Sequence, residues 1–236
     1  MFNKISLVLS VFIIIVFNHA FAHGNDLFRD NAISFKVGYH LYPKSDFMDA
    51  WAGNASDFNG FAFEVNYDKN ILKNLSVGCA LGFFPKGMKY ESAFLFGDTP
   101  DIDIKNIYFN LSAKYHLKLT KSLECYLGIA PHFYHTSIDC AYKFGSFESK
   151  VSDKHKTFGI HGLVGVEYVF CRNPTKQGLF DIPTGIFIEY TYSSVKINNV
   201  DEKLINDINN EYSLALPFHD LDIGGHLIFS GIRWHF

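Results

Sequence analysis

After its first 17 residues the chain has no apolar run approaching the 18 that a membrane-spanning helix requires. Neither sign of charge dominates: 21 Lys and Arg stand against 24 Asp and Glu, a formal net charge of −3. That mild acidity argues against a nucleic-acid partner. No Gly-x-Ser-x-Gly elbow, phosphate-binding loop or dinucleotide fingerprint occurs. None of the 11 His residues sits at a metal-ligand spacing. The expectation is therefore no cofactor, no metal and no catalytic residue. Cysteine is sparse, four in all, and residue 23, directly after Ala22, is His rather than Cys, so no lipoprotein anchor is expected there.

What is present begins with a leader. Lys4 supplies one positive charge, Ile5 to Phe17 is apolar apart from Ser6 and Ser10, and Ala20-Phe21-Ala22 is a small-x-small site. This reads as a secretory signal peptide, residues 1–22, cut near Ala22 by a Sec-type route. The remaining 23–236 reads as one domain.

That domain is rich in Phe (25) and Tyr (13) against two Trp. Its apolar residues recur at every second position, the period of a strand with two unlike faces. Eight such segments follow one another. Ile33, Phe35, Val37, Tyr39 and Leu41 make the first apolar face, and Pro43 ends that strand. Phe61 to Tyr67, Leu75 to Phe83, Ile107 to Leu117, Leu123 to Phe133, Phe158 to Phe170, Ile186 to Tyr192 and Leu221 to Phe236 continue the series. Pro85 is expected to stop the third strand, and Pro131 to bulge the fifth or end its full pairing. Asp68 to Asn74 and Lys118 to Ser122 read as short turns, and Ser137 to Lys156 as a polar loop. The long 198–220 connection is expected to hold a short helix over Glu202 to Asn210. Long connections after odd strands and mostly short ones after even strands imply a closed antiparallel eight-stranded barrel, all-β, with both ends on one side.

The last residues sharpen this. Ile228, Ile232, Trp234 and Phe236 share a face with only Ser230 among them, and Gly231 precedes the terminal aromatic pair. The ending resembles the C-terminal signal by which the barrel-assembly machinery recognises outer-membrane proteins, with Gly231, Trp234 and Phe236 as its residues. With the strand pattern, the chain resembles the small eight-stranded outer-membrane proteins of the OmpW, OmpX and OmpA-barrel type, OmpW nearest in length. The resemblance implies a transmembrane barrel in the cell outer membrane, surrounded by its lipid. It also implies a narrow channel for small hydrophobic molecules or a surface-structural role. The alternative is an adhesin that binds host surface factors through long outer loops. A soluble secreted barrel with an apolar ligand is the third reading.

The opposite strand faces are dominated by Gly, Ala and Ser, which suit a crowded lumen. They also carry Lys36, Lys114 and Arg233 against Glu64, Glu124, Glu167 and Glu189. These seven are expected to form a lumenal charge network, since charges out of reach of water must pair. His132 and His135, with His155 and His219, are the weak metal candidate. His135 and Ser137, with Glu189, are the weak catalytic one. Cys79 is expected to face lipid and Cys140 to lie in an outer loop. Cys125 and Cys171 lie near the same rim but point to opposite faces, which disfavours a disulfide.

Overall fold

The structure is a computed structural model describing residues 30–51, 59–89, 101–144, 147–170 and 183–236. The stretch 1–22 read as a leader and Cys171 lie outside these. Eight strands close into an antiparallel barrel: β1 (Asn31–Leu41), β2 (Gly60–Leu72), β3 (Leu75–Lys89), β4 (Asp101–Lys118), β5 (Leu123–Phe144), β6 (Phe147–Phe170), β7 (Thr184–Ser194) and β10 (Gly225–His235). The long β7–β10 connection contributes a two-stranded sheet of β8 (Lys196–Ile197) and β9 (Leu221–Asp222). It also contributes α2 (Glu202–Tyr212), while α1 (Asp46–Trp51) follows β1. The barrel closes between β1 and β10 down to the last residue, where Phe236 N–H donates to Asn31 O at 2.8 Å and Asn31 N–H returns to Phe236 O at 3.0 Å. Where all eight strands overlap, closure leaves no edge, although β6 before Ile160 and β3 beyond Phe83 extend past β7 and β2.

Every apolar face named above points outward, and its neighbours point in. The strand ends differ from the expectation. Ser137 to Lys156 is not a loop: β5 and β6 continue as a paired hairpin from Ser137↔Lys154 to Phe144↔Phe147. Cys140 accordingly lies inward on β5 rather than in a loop, and burial pushes its thiol pKa up to about 12. β3 runs through Pro85, which sits opposite Lys105, and β2 runs on to Leu72, so the turn after it is only residues 73–74. Pro131 causes no bulge, because the β5–β6 register is continuous through Pro131↔Ile160. Its missing N–H shows on the other side, where the β4 ladder has no partners for Leu111 and Ser112.

The long hairpin escaped notice because its polarity reverses. On β4 the outward residues are Asp101, Asp103 and Lys105, then Ile107, Phe109, Leu111, Ala113, Tyr115 and Leu117. β5 changes between His135 and Phe133, and β6 between Lys156 and Phe158. Beyond that line the inward residues of β4 and β5 become apolar: Ile102, Ile104, Ile138 and Cys140 are buried. They pack with Phe47 and Met48 of α1, with Leu204, Ile205 and Ile208 of α2, and with Val195, Ile197, Leu221 and Ile223 around the small sheet. The end of the barrel away from the termini therefore carries a cap built as a water-soluble protein is, apolar inside and charged outside. Lys196 and Asp220 brace its rim at 2.7 Å. Their hydrogen bond holds the Asp220 carboxyl below its usual range and raises Lys196.

Candidate functional site

Four inward aromatic rings shape the lumen, and each lies across from a glycine on the next strand: Tyr108 from Gly82, Tyr126 from Gly165, Phe187 from Gly231 and Phe229 from Gly38. A Cβ at Gly165 would stand 2.3 Å from Tyr126 Cζ, and one at Gly82 would stand 2.0 Å from Tyr108 Cζ. Only glycine lets these rings lie flat against the wall, which explains Phe187 on an otherwise polar face. Gly165→Ala is expected to cost about 1–3 kcal/mol by overpacking. Gly162→Ala, where a Cβ would meet nothing within 4 Å, should stay within about 0.5 kcal/mol of the parent. Urea unfolding in lipid vesicles measures both, and equal costs would refute the ring-over-glycine account.

The rings stand against the cations. Arg233 Cζ lies 4.7 Å from the Phe187 ring centre and 5.1 Å from that of Tyr126, and Lys36 Nζ lies 5.5 Å from Phe229. All seven expected charged residues are buried inside the barrel, but they do not form one network. Lys36 bridges Glu64 and Glu189 at 2.6 Å each. Tyr108 donates to Glu64 at 2.7 Å and Tyr126 to Glu189 at 3.0 Å. Nearer the termini Arg233 pairs with Glu167, which also binds His235 at 2.7 Å. Lys114 meets none of the four glutamates and instead donates to both oxygens of Asp68 at 2.9 Å. Glu124 pairs with His116, whose other nitrogen bonds Ser76 Oγ at 2.7 Å. Asp68, His116 and His235 are thus functional partners that sequence reading missed. Asp68 alternates in phase with Glu64, which could have identified it had β2 been extended past Tyr67.

Towards the cap, the His132 and His161 rings stack at 3.3 Å, Asn110 bonds His132 at 3.1 Å and Tyr134 bonds His161. The weak candidates do not assemble. His132 points inward and His135 outward, so they cannot share an ion. His135 and Ser137 are on the outer wall while Glu189 is inside, so no His–Ser–Glu unit forms there. Gly231 and Trp234 hold their β10 positions, Trp234 facing outward with its ring 5.7 Å from Phe35.

The interior leaves little space. A cavity of about 10 Å³ lies among Lys36, Glu64, Tyr108, Lys114, His132 and Glu189, and one of about 20 Å³ among Asp68, His116, Glu124, Arg233 and His235. Each has room for about one water. Outside, Phe61, Ile129, Ile188 and Val164 are more than half exposed, as members of a belt that rings all eight strands. A water-soluble protein would not bury three cations and expose such a belt, far beyond an ordinary apolar patch. In hydrocarbon the arrangement is required, because backbone groups are satisfied only in a closed ladder and apolar side chains face the lipid.

The chain is a transmembrane β-barrel of the outer-membrane type.

The soluble-barrel reading falls with that distribution. No protein-family profile matches the sequence, and no curated protein does. Among solved structures the barrel is similar to Neisserial surface protein A, at 14% identity and TM-score 0.47, covering 87% of this chain and 96% of that one. It is similar also to the outer membrane protein OprG from Pseudomonas aeruginosa, at 12% identity and TM-score 0.49, covering 90% of this chain and 100% of that one. A third is Ail, the attachment invasion locus protein of Yersinia pestis, at 14% identity and TM-score 0.39, covering 86% and 99%. The short turns at 73–74 and 119–122 lie on the side of the termini, opposite the cap.

Proposed function

We propose that the barrel is a closed anchor that holds a folded cap at the cell surface, a surface-structural protein whose cap is the part available to partners. The observation that carries this reading is the filled lumen: its charges are paired, its rings lie against the wall, and the cavities beside Lys36 and beside Arg233 hold about a water each. An eight-stranded barrel is just wide enough for side chains to fill it. Passage of a small hydrophobic molecule along this axis would require Lys36 to leave Glu64 and Glu189, and the cap core around Phe47 and Ile205 to part. Single-channel recording in planar bilayers tests the reading. The expected trace is a flat baseline across ±100 mV, a voltage range chosen on the order of a physiological potential. Discrete openings of reproducible size would overturn the anchor reading in favour of a channel.

A further inference from the structure

We propose that the outer wall of β4–β6 holds a phosphate site for an outer-leaflet lipid, formed by Lys154 and Lys156 with His135 and Ser137. The register sets these side chains in two rows directly above the lipid belt. Phe109, Phe133 and Phe158 lie side by side in the last full aromatic row. The next row outward is Ile107, His135 and Lys156, and the one after it is Lys105, Ser137 and Lys154. Adjacent strands are about 4.8 Å apart, so the three strands present this shelf over roughly 10 Å, the scale of one phosphorylated headgroup. The shelf begins where the acyl chains of a bound lipid would end, which is where a lipid phosphate lies.

Charge supports the same occupant. Lys154 and Lys156 are exposed, and neither ammonium has an ion-pair partner among the described residues. Acidic groups nearby are already engaged or stand farther out. Asp103 and Asp139, one row beyond, hold Lys105 at 2.5 and 3.7 Å, which leaves Lys154 and Lys156 as the free cations among the described residues of the shelf, and Asp153 is held by Lys203 at 2.7 Å with His155 at 3.7 Å. The site is one-sided, since the outward residues at the corresponding ends of β7 and β10 are Tyr192, Ser194 and His226. Phe133 and Phe158, with ring centres 5.3 Å apart, give the upper acyl segments an aromatic floor. A lipid is favoured over a free anion because the apolar floor and the cationic shelf are continuous.

The test titrates the full barrel, held in phosphatidylcholine nanodiscs, with bis-phosphorylated lipid A and counts bound lipid by native mass spectrometry. Each lysine beside a membrane surface contributes about a fivefold gain in affinity for anionic lipid, so Lys154→Glu/Lys156→Glu should weaken binding roughly 30-fold or more. Lys121→Glu, on the exposed turn 119–122, should bind as the parent does. Heat-modifiability in phosphatidylcholine alone shows that each variant is folded, and Lys154→Gln/Lys156→Gln serves as the milder pair if charge reversal blocks assembly. Lipid A stripped of its phosphates should not be enriched. Inorganic phosphate alone should give no bound adduct. Equal binding by the double variant, equal enrichment of the stripped lipid, or phosphate capture without a lipid would each overturn the proposal.

Discussion

Lys36→Met is expected to lower barrel stability by about 3–5 kcal/mol, the cost of removing one member of a buried ion cluster. The side chain neutralises two carboxylates at once, with Glu64 and Glu189 each 2.6 Å from its nitrogen. Without it, two buried carboxylates face each other across a space that admits about one water. Tyr108 and Tyr126 still donate to them, but a neutral hydroxyl does not replace a cation. Adding Glu189→Gln should restore part of the loss, because one of the two orphaned charges is removed. Urea unfolding in lipid vesicles, followed by the heat-modifiable mobility shift, measures both variants. A cost below about 1 kcal/mol would mean that the bridge is incidental to the closed lumen.

Leu111→Arg should cost about 2–4 kcal/mol, and Ile107→Arg on the same strand face about 0–1 kcal/mol. Both side chains are exposed on the outside of β4, but Leu111 stands midway along the apolar belt while Ile107 is its first member below Lys105. An arginine at Ile107 reaches headgroups, whereas one at Leu111 lies in hydrocarbon. The same unfolding assay compares the two. Equal costs would show that β4 does not cross the bilayer at this depth, and the position of the belt would have to be redrawn.

The faces of the strands were legible in the sequence because a pleated strand has a side-chain period of two, and one face meets lipid throughout. Between Phe35 and Ile232 the inner face carries apolar exceptions such as Phe187 and Phe229, whose rings find room opposite Gly231 and Gly38. Strand ends were not legible, for a physical reason. In the stretches 137–141 and 149–156 polar residues dominate the outward face, so they govern the reading although the period persists inward in Ile138, Cys140 and Val151. The seven formal charges were found, but their partners were not all formal charges. Tyrosine hydroxyls and histidines complete the bonding of Glu64, Glu189, Glu124 and Glu167. No spacing in one strand identifies such partners, since register is a property of strand pairs. The cap core was likewise out of reach, because Phe47, Ile138 and Ile205 meet only when three distant segments converge.

The reversal of polarity between Lys105 and Ile107, Phe133 and His135, and Lys156 and Phe158 also acts as a depth gauge. From Ile107 to Leu117 the strand rises about 34 Å, which at a tilt near 40° stands roughly 26 Å tall, close to the height of an outer-membrane apolar band. Sinking the barrel by one row would draw Lys156 into hydrocarbon, and lifting it would strand three phenylalanines in water. Both displacements are opposed by several kcal/mol. The barrel is thereby held at one height and suits a thin bilayer better than a sterol-thickened one. Its cap stands at a fixed elevation above the headgroups, so anything approaching along the membrane plane meets the same rim of Lys196 and Asp220 each time.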